Sequence, residues 1–246
     1  MDFVLLIILF VVAAVISSPK YKGRKGEQKV AGYLDKLDAN EYRVINNLLL
    51  KTEYGSSQID HVIVSVYGIF VIETKNYRGW IVGSEYADNW KQVIYKRKET
   101  LSNPIKQNYG HIKALKEKLR LHNNIKYISI IAFTNRATLK VNTQTPVIYT
   151  RDLLNEIRRY NERTLSIQEV NDIHNALASN NVDSREMRKE HVNNIKRNIR
   201  NGRSPQNMDI CPRCGGTLLQ RNGKNGFFIG CSNFPKCRFT KNISQK

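Results

Sequence analysis

The sequence predicts an α/β fold, a mixed β-sheet flanked by helices, with an apolar helix ahead of it and a small cysteine-bound module behind it. Three observations carry that prediction. Segments rich in β-branched residues alternate with segments whose apolar residues recur at helical spacing. All four cysteines follow residue 210, and residues 3–16 form an unbroken apolar run. A length of 246 residues suits one full-sized domain and something small.

The apolar run, FVLLIILFVVAAVI, is followed at once by Lys20, Lys22, Arg24 and Lys25. As a helix it spans about 21 Å, short of a hydrocarbon core of about 30 Å, so it must recruit Ser17, Ser18 and snorkelling lysines or thin the bilayer. No basic residue precedes it and no small-x-small cleavage site follows it, which disfavours a secretory signal. Residues 1–19 are therefore read as a single-pass transmembrane anchor. The basic cluster behind it places the rest of the chain in the cytoplasm, where free cysteines are expected.

Residues 23–37 place Val30, Leu34 and Leu37 on one helical stripe. Residues 42–50 and 59–66 read as strands, Tyr67-Gly68 as a turn, and 69–75 as the returning strand of a hairpin. Short strands follow at 80–83 and 90–95. Asn103-Pro104 offers an N-cap and a first-turn proline for a helix to about residue 121. Residues 127–133 and 147–149 read as strands, and 151–160 and 166–177 as helices, the second with a capping box from Ser166 and Glu169. This closes a domain over 20–180. Residues 181–208 form a basic linker helix with a thin stripe of Met187, His191, Ile195 and Ile199, and 209–246 form the cysteine module.

The balance of 40 Lys and Arg against 21 Asp and Glu, net +19, points to a polyanion or an anionic surface as partner, nucleic acid and phospholipid both qualifying. Beyond residue 180 there are 14 basic residues and 4 acidic ones, so the tail is the more strongly charged part. Charge alone names no partner, and a generally basic protein with solvated lysines fits it too.

A two-residue loop at Tyr67-Gly68 pairs Val66 with Ile69, which sets Asp60 opposite Lys75 and Val62 opposite Glu73. Asp60, Glu73 and Lys75 then share one face of the hairpin, Asp60 lying diagonal to Glu73 at about 7–8 Å. Glu27 falls on the helical stripe that should face the sheet, where an unpaired carboxylate is costly. Converging carboxylates with one lysine make an oxygen site suited to Mg²⁺ with phosphate co-ligands, and the implied reaction is phosphodiester hydrolysis. By composition alone, an ordinary edge hairpin with solvated, mutually paired Asp, Glu and Lys explains these residues at least as well.

Four blocks in order, Gly23-Arg24-Lys25-Gly26-Glu27, Ile59-Asp60-His61, Val71-Ile72-Glu73-Thr74-Lys75-Asn76-Tyr77 and Asn103-Pro104-Ile105-Lys106-Gln107, resemble the NERD (nuclease-related) domain across roughly residues 20–135. The resemblance implies a restriction-endonuclease-like mixed sheet of the PD-(D/E)XK nuclease superfamily. It implies that Asp60, Glu73 and Lys75 are the magnesium- or manganese-binding and catalytic core, Glu27 an accessory carboxylate and Gln107 a helix residue near the site. The superfamily's Pro-Asp is Ile59-Asp60 here. His61 points to the face opposite Asp60 and is expected to be structural.

Cys211-x-x-Cys214 and Cys231-x₅-Cys237 have the spacing of a four-thiolate zinc site, and so short a module has little other source of folding energy. Arg221, Lys224, Phe227, Phe228, Phe234, Lys236, Arg238 and Phe239 mix cations for phosphates with aromatics for bases, some of which must pack around the metal. Residues 209–242 resemble the zinc ribbon at the carboxy terminus of bacterial DNA topoisomerases. That implies DNA binding, with single strands the expected form, and no topoisomerase activity. Two accounts stay open, a membrane-tethered metal-dependent DNA nuclease and a non-catalytic membrane-to-DNA adaptor. A third, in which the charge serves anionic lipid alone, is disfavoured by the ribbon.

Overall fold

The computed structural model describes residues 18–52, 55–119, 125–200, 211, 218–223, 226–231 and 234–242. The apolar run at 3–16 lies outside them. Among the described residues no helix is long and apolar enough to cross a membrane.

Helix α1 (Pro19–Leu34) begins where Ser18 Oγ accepts from the Tyr21 N–H and Pro19 takes the first turn. Ser18, assigned from sequence to the membrane segment, is thus the cap of a domain helix, and the helix both starts and stops earlier than its apolar stripe suggested. Strands β1 (Tyr42–Thr52), β2 (Gly55–Ser65) and β3 (Gly68–Lys75) form an antiparallel meander. Strand β3 pairs in parallel with β7 (Tyr127–Phe133), and β7 with β9 (Val147–Tyr149), giving a five-stranded mixed sheet in the order β1-β2-β3-β7-β9. The first six residues of β3 are buried, as befits a strand with neighbours on both sides and helices on both faces.

Val30 and Leu34 of α1 pack with Ile63, Phe70 and Ile72 on one face, joined by Leu153 and Ile157 of α3 (Leu153–Arg158). On the other face Val62, Val64 and Val71 meet Ala114 and Leu115 of α2 (Pro104–Lys118) and Val170, Ile173 and Leu177 of α4 (Ile167–Ser179). The expected capping box at Ser166 and Glu169 is present. Helix α5 (Arg185–Arg200), expected to be a linker, instead docks on the sheet, with His191 Nδ1 2.7 Å from Ser56 Oγ of β2.

Between β3 and α2 the chain builds β4 (Gly79–Ser84), β5 (Asn89–Ile94) and β6 (Arg97–Ser102), which join β8 (Ala137–Asn142) in a second sheet ordered β6-β5-β4-β8. Trp90 is its core, stacked on Phe133 of the main sheet with ring centroids 6.3 Å apart. A third sheet is built from β10 (Leu218–Gly223), β11 (Gly226–Cys231) and β12 (Thr240–Asn242), with Cys231 closing β11.

The hairpin turn differs from expectation. The two-residue loop is Val66-Tyr67, closed between Ser65 and Gly68, and the ladder runs to His61 opposite Ile72. Asp60 therefore comes level with Glu73, not Lys75, and Val62 pairs with Val71. Ser65 Oγ accepts from the Tyr67 N–H and donates to the Gly68 carbonyl, which makes the serine the turn-former. Gly68, at φ +119°, is needed for a different reason: a Cβ there would sit 2.6 Å from the Lys126 carbonyl oxygen, where the chain enters β7. The displacement is two residues, so the three charged residues still share a face.

Candidate functional site

The polar residues of β3 come at its carboxyl end, where an open sheet presents its ligand crevice. Lys75 Nζ donates to Glu73 Oε1 at 2.5 Å and to Gln107 Oε1 at 2.9 Å. Glu73 is buried, and its Oε2 lies 3.2 Å from His111 Nε2. The other imidazole nitrogen of His111 lies 2.7 Å from Ser57 Oγ. Asp60 Oδ2 accepts from the Thr74 N–H at 2.8 Å, which holds the Asp60 carboxylate across the end of the strand pair.

Two clasps place the flanking helices. Asn103 caps α2 by accepting from the Ile105 N–H, while its amide donates to the carbonyls of Ala87 and Glu85 at 2.7 and 3.0 Å. The start of α2 is thereby tied to the second sheet, and Gln107 and His111, one turn apart, face the same way toward β3. Asn76 donates to the Lys22 carbonyl at 2.6 Å and accepts from Thr134 Oγ1, tying α1 to the ends of β3 and β7. Gly26 lets α1 come this close, since a Cβ there would meet Asn76 Cβ at 3.1 Å. Glu27, the next residue, is half-buried beside the site.

The electrostatics are unbalanced. Burial pushes the Asp60 carboxyl well above its ordinary range, and the charges of Glu73 and Glu27 add to the push. Glu27 is raised by burial and by Glu73, against the opposing pull of Arg24, Lys75 and Arg188. Glu73 alone is held low, to about 2, because Lys75 and His111 outweigh the burial that would raise it. Lys75 is raised by Glu73 and Asp60 despite burial. Three carboxylates thus repel one another around a single ammonium, a donor set whose repulsion a divalent cation would relieve. As a trio they do not bring their oxygens within 4.8 Å of one another, so a cation there would be held by fewer than all three, with water or phosphate as further ligands.

Sequence reasoning missed His111, Ser57 and Arg188. His111 was within reach, being four residues after Gln107 on the same helix face. Arg188 was not, because nothing in the sequence of a basic linker helix says what it packs against. His61, expected to be structural, is buried with Nδ1 2.7 Å from Asn46 Oδ1.

Beside the third sheet, the sulfurs of Cys211, Cys231 and Cys237 lie within 4.8 Å of one another, all buried, with Leu218 and Phe239 packed beside them. The Cys211–Cys237 separation of 3.5 Å is far from a disulfide and close to the edge of about 3.8 Å in a tetrahedral zinc thiolate site. The donor set fits zinc; Cys214 and Lys224 lie outside the described residues. Arg221 donates to the Cys231 carbonyl and lies 5.9 Å from the Phe234 ring centroid, so it braces the ribbon as well as offering charge. Phe228 is half-buried, whereas Phe227, Phe234, Lys236 and Arg238 are exposed.

Comparison with known proteins matches residues 22–134 to the nuclease-related domain and 208–246 to the topoisomerase DNA-binding C4 zinc finger. An uncharacterized protein of Bacillus anthracis is 38% identical over 198 residues, which cover 78% of this chain and 92% of that protein. DNA topoisomerase 1 of Methanocaldococcus jannaschii is 61% identical over 37 residues, 15% of this chain and 5% of that enzyme. The uncharacterized protein YrdD of Escherichia coli is 47% identical over 36 residues, 15% of this chain and 20% of its own length. No solved structure matches.

Proposed function

The chain belongs to the nuclease-related (NERD) domain family and carries a topoisomerase-type C4 zinc ribbon, and from that premise we propose that it is a metal-dependent DNA nuclease of the PD-(D/E)XK type, its mixed sheet being restriction-endonuclease-like. One observation carries the reading: Asp60, Glu73 and Lys75 meet at the end of β3 with Glu27 and Gln107 drawn in from two helices. Asp60 and Glu73 would hold magnesium or manganese, which supplies Lewis acidity to the phosphate and lowers the pKa of an attacking water. Lys75 spends two N–H donors on Glu73 and Gln107 and keeps a third to orient that water or steady charge on the phosphate. His111 and Lys75 grip the two oxygens of Glu73, so its orientation is set before substrate arrives.

The test is cleavage of plasmid and single-stranded DNA with Mg²⁺ or Mn²⁺ by wild type, Asp60→Ala and Lys75→Ala. Equal cleavage by all three discards the reading. A non-catalytic adaptor is favoured by one feature: both Glu73 oxygens already have protein partners, as in a purely structural ion pair. It predicts salt-sensitive DNA binding without turnover.

The ribbon serves as the DNA grip, single strands included, through Arg221, Lys224, Phe228, Phe234, Lys236 and Arg238. Residues 3–16 tether the chain to the cytoplasmic membrane, with domain and ribbon in the cytoplasm; the basic residues from Lys20 to Lys25 support that orientation. Recovery of the full-length protein in the soluble fraction after gentle lysis would overturn the tether.

A further inference from the structure

The second sheet has two unlike faces. One packs Ile81 and Trp90 against the main sheet. The other is open: Trp80 is 50% exposed, and the registers set it beside Thr138 and Val93, with Val82, Lys91, Lys98, Thr100 and Lys140 on the same side. The strands place no Asp or Glu on this face, because Glu99 pairs with Gln92 on the buried side. Lys91, Lys98 and Lys140 are exposed, and Lys140 Nζ lies 3.5 Å from the Trp80 ring centroid. Tyr95, 98% exposed, stands at the β5–β6 tip.

An acid-free sheet face with an exposed indole among lysines complements a polyanion that carries flat rings. It is also joined to the candidate site. Strand β4 starts four residues after Lys75, and the Thr134 N–H to Lys75 carbonyl bond closes the β3–β7 pairing just where the Gly79 N–H to Arg136 carbonyl bond opens the β4–β8 pairing, so only residues 76–78 and 134–136 separate the site from this sheet.

We propose that this face binds single-stranded nucleic acid, stacking a base on Trp80 and pairing phosphates with Lys91, Lys98 and Lys140. The inference takes its substrate class from the nuclease reading, but it concerns binding and needs no turnover. A stacked base displaces the Lys140 ammonium from the indole, and the ammonium turns to the adjoining phosphate.

The two tryptophans make the test direct, because Trp90 is 1% exposed and acrylamide reaches Trp80 alone. Full-length protein in EDTA is titrated with an oligothymidylate while tryptophan emission and acrylamide quenching are followed. The oligonucleotide should shield Trp80, and Trp80→Ala should lose the signal and weaken binding about tenfold. Replacing Lys91, Lys98 and Lys140 together with alanine should reduce the slope of log affinity against log salt by about 2. Saturable binding that leaves Trp80 open to acrylamide overturns the proposal, as does shielding by phosphatidylserine vesicles but not by DNA. Shielding without Mn²⁺-dependent cleavage sinks the nuclease reading and leaves this surface standing; cleavage with Trp80 left open does the reverse.

Discussion

One imidazole fixes the acid of the candidate site to the opening of β2: His111 Nε2 stands 3.2 Å from Glu73 Oε2 while Nδ1 lies 2.7 Å from Ser57 Oγ. With Lys75 on the other carboxylate oxygen, Glu73 has no rotational freedom left.

His111→Ala should raise the Mn²⁺ concentration for half-maximal cleavage by about tenfold, the usual scale for losing a group that orients a metal ligand. His111→Gln, which can still donate to Glu73, should keep most of the affinity. Calorimetric titration with Mn²⁺ reads both, and equal loss in the two variants would point to packing damage instead.

Asp60→Asn should separate stability from activity. Burial and Glu73 raise the Asp60 pKa above its unfolded value, so its charge opposes folding at neutral pH when no metal is bound. An asparagine oxygen can still accept from Thr74. The melting temperature in EDTA should rise by a few degrees, while the further rise on adding Mn²⁺ and any cleavage are both lost.

His61 should impose a pH dependence. Its pKa is lowered to about 4 by burial, with Glu73 pulling weakly upward. The unfolded chain therefore binds the proton more readily, and stability is present above the ordinary histidine range near 6.5 and lost as pH falls toward 4. Between pH 7.5 and 5 the loss is about 2 kcal/mol, on the order of magnitude such shifts allow. Urea unfolding of wild type against His61→Gln at the two pH values isolates it.

Zinc should hold the third sheet together. Elemental analysis should find one zinc per chain and none in Cys211→Ser, in which amide-exchange protection of β10–β12 should collapse and DNA affinity drop. Protection in β3 and β7 should not change.

The Asp60, Glu73 and Lys75 cluster was legible because strand periodicity is two: the turn moved by one residue, from Tyr67-Gly68 to Val66-Tyr67, which shifts every cross-strand partner by two, and no side chain changed face. The α2 start was legible in Asn103-Pro104, whose chemistry is local. Strands β6 and β8 were not, because RKETLS and ATLKVN are exposed on one side and, Ala137 apart, at most half-buried on the other, leaving no run of apolar residues to read. Gly68 misled because glycine marks both a turn and a close approach of two backbones, and only the position of Lys126 tells which.

The sequence by itself determined the local and periodic features: helix caps, strand faces, the cysteine spacing and the family's four blocks. Tertiary structure decided which distant groups share an environment. It set His111 on Glu73, brought α5 and its Arg188 within electrostatic range of Glu27, and left Trp80 half exposed with no covering element among the described residues. Such contacts depend on how whole elements pack, and packing is governed by the shapes of buried surfaces that no short window of residues contains.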